Sequence, residues 1–161
     1  MMLQICLVGD QVLRRKAKPV KSVKKSVQTL IDEMAQAMYR ESGVGLAAPQ
    51  VGVSKRIVVV DVGDGLVSLV NPELVHASGS QLGMEACLSI PDVVGEVERF
   101  ATIQVTGLDR SGRRIWIDAE GLLARCLQHE IDHLDGILFT DRAIRILSDE
   151  EVAERNEVVL D

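Results

Sequence analysis

Aromatic residues are almost missing from this chain: one Trp, one Tyr and two Phe in 161 residues. Its core must therefore be built from Val, Ile, Leu and Ala. Cysteine is sparse too. Cys6, Cys87 and Cys126 are an odd set, too few for a disulfide scaffold, which points to a reducing compartment. The opening Met-Met-Leu-Gln-Ile-Cys-Leu-Val has no basic n-region and is broken by Gln4, so it reads as neither signal peptide nor membrane span. A cytoplasmic protein without membrane contact is expected. Positive charge also falls short: 18 basic residues against 24 acidic ones give a net charge of −6. An acidic chain without basic clusters lacks the footprint that phosphate backbones attract. Free nucleic acid is thus not an expected ligand, while transient contact with a ribosome is compatible with this charge.

What remains is an ordinary globular composition of a length that suits one domain spanning 1–161. Val27, Leu30, Ile31, Met34 and Met38 recur at helical spacing. They predict a helix opening near Ser22 as N-cap, past a basic segment that Pro19 interrupts, and stopping at Gly43. From residue 56 the period changes. Arg56–Val62, Leu66–Asn71, Val93–Val97, Ala101–Leu108 and Arg113–Asp118 read as strands, with Asp64-Gly65 and Ser111-Gly112 as hairpin turns. A second helix follows Asp118 and ends at Gly136, and Ser148-Asp-Glu-Glu151 caps a short C-terminal one. The expected fold is α+β: a mostly antiparallel sheet around a central metal-binding helix, with an N-terminal helix and a short C-terminal helix.

Chemistry concentrates in the second helix, where residues 129–133 read His-Glu-Ile-Asp-His. Positions i and i+4 share one helix face, so His129 and His133 can reach one cation. Glu130 projects beside that face, where it can handle a proton without being a ligand. His76 has no such partner and reads as a surface residue. A catalytic site of this kind takes a third protein ligand. Downstream carboxylates (Asp135, Asp141, Glu150, Glu151) sit in no second motif, whereas Cys87, in Glu-Ala-Cys-Leu-Ser, is a natural soft ligand on a loop. Taken alone, Cys87 reads equally as a buried thiol. Residues 43–50, Gly-Val-Gly-Leu-Ala-Ala-Pro-Gln, read alone as a helix-stop turn followed by small core residues. Their glycines would also let a ligand approach the backbone, and Gln50 offers a neutral N–H donor suited to an oxyanion.

The three segments together resemble the peptide deformylase family, whose motifs run in this order as G-φ-G-φ-A-A-x-Q, E-G-C-φ-S and H-E-φ-D-H, with φ apolar. Gly43–Gln50 and His129–His133 match, and Glu85–Ser89 matches with Ala86 in place of Gly. The likeness runs from the Arg14–Lys18 region to about Asp141. It implies hydrolytic removal of the formyl group from the formyl-methionine of nascent chains, releasing formate. Cys87, His129 and His133 would be the metal ligands and Glu130 the acid/base. Gln50 and the backbone N–H of Leu88 would form the oxyanion hole. The metal would be Fe2+, with Zn2+, Ni2+ or Co2+ able to replace it.

The resemblance also implies an apolar methionine pocket at Val44, Leu122 and Cys126. Arg125 lies among them and is expected to pack its alkyl stem while its head reaches solvent. Gly45 and its neighbours would pair with the substrate backbone as an added strand. Ala86 would be strained if its backbone needed positive φ. The short acidic tail after Asp141 departs from the longer basic tails of some relatives and argues against ribosome docking through it. Two other functions fit a motif of this kind: a metalloprotease of ordinary peptide bonds, and a non-catalytic binder of formylated N-termini.

Overall fold

The computed structural model describes residues 2–154 and 158–160. Helix α1 (Lys25–Arg40) leads into β1 (Gly45–Ala47), β2 (Ile57–Val60) and β3 (Val67–Ser78). Then come β4 (Gln81–Cys87), β5 (Ile90–Arg99), β6 (Thr102–Leu108) and β7 (Arg114–Glu120). Helix α2 (Gly121–Leu134), α3 (Phe139–Arg142), β8 (Arg145–Ile146), α4 (Asp149–Ala153) and β9 (Val158–Leu160) complete the order. This is a mixed α/β fold with antiparallel sheets and four helices among the described residues.

The strands form two sheets where one was expected, in the orders β1-β2-β3-β6-β7 and β8-β5-β4-β9. The chain crosses from one sheet to the other after β3, where Gly79 takes φ +67. All neighbours pair antiparallel except β4 and β9, which run parallel. Strand β2 is buried along its whole length, as its unbroken Val/Ile run requires of a strand covered on both faces.

Helix α1 buries Val27, Ile31, Met34 and Met38 on one stripe against β1 and β2. It begins two residues later than the capping signal suggests, with its N-cap at Lys24 rather than Ser22. Lys24 makes no side-chain cap bond, because an ammonium group has no lone pair with which to accept from a backbone N–H. Asn71 donates to Val20 O and accepts from Val20 N, each at 2.8 Å. At the far end, Ser42 rather than Gly43 adopts the left-handed turn, at φ 58. The 64–65 and 111–112 turns and the Ser148 cap lie where the sequence predicts them.

Strand β4 was not legible as a strand, and Cys87 ends it rather than lying on a loop. Its burial does not alternate: Leu82 is exposed, while Met84 to Cys87 are all buried, the charged Glu85 fully so. The first segment, 4–8, is an extended arm. Its Cys6 N–H donates to Gln50 O at 2.7 Å and its Val8 N–H to Ser89 O at 2.8 Å.

Candidate functional site

Helix α2 is covered on nearly every side, although six of its buried residues are polar: Arg125, Gln128, His129, Glu130, Asp132 and His133. A polar helix survives burial only if each group finds a partner. The charged partners come mainly from β4 and β5, and Gln128 is held by the Phe100 backbone just beyond β5. Glu85 accepts from Arg99 Nε at 2.9 Å and Nη2 at 2.8 Å, from Arg125 Nη1, and from His129 Nδ1 at 2.8 Å. Arg99 also donates to Asp132 at 2.6 Å, and Asp132 accepts in turn from Arg142 at 2.6 Å. Burial opposes the charge on Glu85, but the hydrogen bonds from Arg99 and His129 hold it well below the usual carboxylate range.

This network fixes His129. With Nδ1–H given to Glu85, Nε2 is the ring atom that could hold a metal ion. One turn on lies His133, whose Nε2 stands 3.4 Å from Cys87 Sγ. The ligand atoms of Cys87, His129 and His133 all fall within 4.8 Å of one another, and all three residues are buried. A tetrahedral ion with ordinary metal–sulfur and metal–nitrogen bonds would separate sulfur from nitrogen by about 3.5 Å. The donor set fits such an ion in chemistry and in spacing.

Electrostatics agree. Burial works against a charged His129, yet hydrogen bonds with Cys87 and Glu85 and the Glu130 charge outweigh it and raise its pKa to about 10. His133 moves the other way, well below the ordinary histidine value, through burial and then the His129 charge. Anionic groups thus gather around one point and draw positive charge there, which is the demand a cation meets.

The remaining expected residues cluster around this centre. Gln50 is fully buried. Its Oε1 accepts from the Ala47 N–H at 2.9 Å, which turns Nε2 toward Cys87 Sγ at 3.4 Å and Ser89 Oγ at 3.2 Å. Leu88 follows Cys87 in the turn between β4 and β5. Glu130 lies against Gly45, where an added Cβ would meet its carboxylate. Ala86 lies in β4 and is not among the positive-φ residues, so its methyl group carries no backbone strain. The downstream carboxylates are engaged elsewhere: Asp135 with Arg56, Asp141 with Arg14, Glu151 with Arg145.

Leu122, Cys126, His129 and His133 follow one stripe of α2 at spacings of three and four. Leu122 is 43% exposed and Val44 half-buried, while Cys126 is fully buried within the core. Arg125 corrects the expectation for its head group. It does not reach solvent but is buried against Glu85, the Val97 carbonyl at 3.0 Å and the Gln81 carbonyl at 3.2 Å. The next turn of the helix turns it away from the stripe. His76 is exposed on β3, as expected.

Sequence reasoning assigned no role to Glu85, Arg99 or Asp132. The signal available was a charged residue within each of two motifs, Glu85 and Asp132, since charges seldom enter a core without partners.

The sequence model of the polypeptide deformylase family matches residues 2–148. A peptide deformylase of Thermoanaerobacter pseudethanolicus is 55% identical over 151 residues, which cover 94% of this chain and 95% of that one. The crystal structure of peptide deformylase from Thermotoga maritima superimposes with a TM-score of 0.88 at 42% identity, covering 90% of this chain and 99% of that one. A peptide deformylase structure from Legionella pneumophila gives 0.86 at 43%, covering 96% and 90%.

Proposed function

The chain belongs to the peptide deformylase family, and on that footing we propose that Cys87, His129 and His133 hold its metal, with Glu130 as the acid/base. The protein is a metal-dependent hydrolase that removes the N-formyl group from nascent polypeptides. One observation carries the site assignment. A sulfur and two imidazoles converge in a buried pocket, with a carboxylate one residue along the same helix.

Ferrous iron is the ion we assign, with zinc, nickel or cobalt able to take its place, since one thiolate and two imidazoles suit them all. When bound, the ion supplies Lewis acidity that makes a water nucleophilic near neutral pH. Glu130 takes the proton released as water attacks the formyl carbon and passes it to the departing amine. Gln50 Nε2 and the Leu88 N–H donate to the oxyanion. Loss of one such donor typically costs about 10²–10³ in rate. Gln50 is suited to this because its own carbonyl is already committed to Ala47. Glu85 keeps the His129 ring in its tautomer and orientation.

The substrate chain pairs with β1. Among the described strands β1 bonds only to β2, so its other edge is available for strand addition at Gly45. Val44, Leu122 and Cys126 take the methionine side. We read 1–161 as one catalytic domain in which the sheets surround α2, working in the cytoplasm in transient contact with the ribosome. No described helix is long and apolar enough to cross a membrane.

Formate release from a formyl-Met peptide, with the unformylated peptide as control, tests this reading. Glu130→Gln should keep its metal and its circular dichroism spectrum yet release no formate. Wild-type turnover in that variant refutes the role given to Glu130.

A further inference from the structure

The acidic total conceals an uneven distribution. Seven of the 18 basic residues fall between Arg14 and Lys25, and no Asp or Glu occurs from position 11 to 31. The expectation that the chain lacks basic clusters therefore fails locally. We infer that this face, together with Lys55, is a docking surface for structured RNA, namely the phosphate backbone exposed on the ribosome. The inference rests on the reading that the substrate is a nascent chain.

All seven residues are exposed, as is Lys55. Arg14 is committed to Asp141, but no ion pair engages the lysines of this face among the described residues. Lys21, Lys24 and Lys55 border one shallow concavity with the Ser22 and Ser26 hydroxyls. The segment is held in place rather than trailing. Lys18 N–H donates to Ser54 O, Arg56 N–H donates to Lys18 O, both at 3.0 Å, and Asn71 grips Val20 through two bonds. The cations are therefore presented on a fixed frame, and the N-terminal end of α1 opens among them with no acidic residue in its first turn.

The chemistry selects the partner. Protein interfaces are depleted in lysine and enriched in aromatic residues, which is the reverse of this face. A membrane-binding helix needs an outward apolar side, and that of α1 is spent on the core through Val27, Ile31, Met34 and Met38. Lysine-rich surfaces without apolar anchors suit phosphate backbones read by charge alone. None of these residues belongs to the metal site or to β1, so docking leaves the substrate edge open.

The test is the triple variant Lys21→Glu, Lys24→Glu, Lys25→Glu. Acidic residues at a helix N-terminus favour the helix, so the fold is not endangered. Co-sedimentation with purified ribosomes, with a duplex RNA and with phosphatidylglycerol vesicles is measured across a salt series. Expected are wild-type binding to ribosomes and duplex that weakens steeply with salt, and binding at least about tenfold weaker in the variant. The variant's salt slope should be shallower by about 2–3 units. Formate release from a free formyl-Met peptide should be unchanged in the variant. Equal ribosome binding by variant and wild type, or wild-type binding to vesicles but not to ribosomes, overturns the inference. Absence of formate release from wild type would instead strike the catalytic reading, and the two failures are distinct.

Discussion

Gly45 faces Glu130 so closely that a β-carbon on it would stand 2.5 Å from Oε2 and 3.0 Å from Cδ. Its φ is not in the left-handed region, so space rather than backbone conformation selects glycine here. The Glu130 carboxylate is buried and cannot swing out to solvent. Gly45→Ala should therefore displace the acid/base and lower kcat by about 10²-fold or more, the usual scale of a lost proton-transfer group. Metal content should stay at the wild-type level. Turnover within twofold of wild type would show that the carboxylate can yield without consequence.

Glu85 anchors Arg99 and Arg125, both nearly inaccessible to water. Removing one partner of a buried pair costs about 3–5 kcal/mol because the other charge is stranded. Urea unfolding of Glu85→Gln should register a loss of this order. The pH dependence follows from the lowered folded-state pKa. Glu85 contributes its full stability above the ordinary glutamate value of 4.5, and that contribution fades as pH falls from there toward the folded value. The gap between the two proteins should be constant from about pH 8 to 5 and narrow in stronger acid. A gap that widens on acidification would contradict the role of Glu85.

The identity of the ion has an oxidative signature. Iron beside the Cys87 thiolate should make the enzyme lose activity in air, with the sulfur moving up the oxidation ladder. The same protein reconstituted with nickel or cobalt should outlast it. Equal half-lives under air and argon for the enzyme as purified would speak for zinc as the working metal.

Leu122 shares the helical stripe of the metal-centre histidines and is the most exposed of the three residues assigned to methionine recognition. Loss of apolar contact area weakens ground state and transition state alike. Leu122→Ala should raise KM for formyl-Met peptides about five- to tenfold, with kcat within twofold. An unchanged KM would place the methionine side chain elsewhere.

Legibility in the sequence followed distance along the chain. His129 and His133 are one helical turn apart, so a local rule puts them together. The hairpin at Ser111-Gly112 and the Ser148 cap are equally local, and both are found. Cys87 lies 42 positions before His129, and only the combination of motifs suggested that they meet. The Glu85–Arg99–Asp132 chain is joined across β4, β5 and α2, so the sequence shows two of its charges within motifs but not that they meet through Arg99. That same network hid β4. With Met84 to Cys87 all buried, Glu85 among them, and Leu82 exposed, β4 lacks the alternation by which a half-buried strand is recognised. Ser22 failed as a cap for a related reason: the Asn71 grip on Val20 sets where α1 can begin, and tertiary contacts override a preference of about 1 kcal/mol.

The amino-terminal arm carries a consequence for assembly. Its bonds at Cys6 and Val8 reach Gln50, which follows β1 in one sheet, and Ser89, which joins β4 to β5 in the other. Residue 8 is synthesised well before residue 89, so its bond to Ser89 cannot close until the β4–β5 turn has been made. The stitch between the two sheets is thus threaded early and can be drawn tight only late.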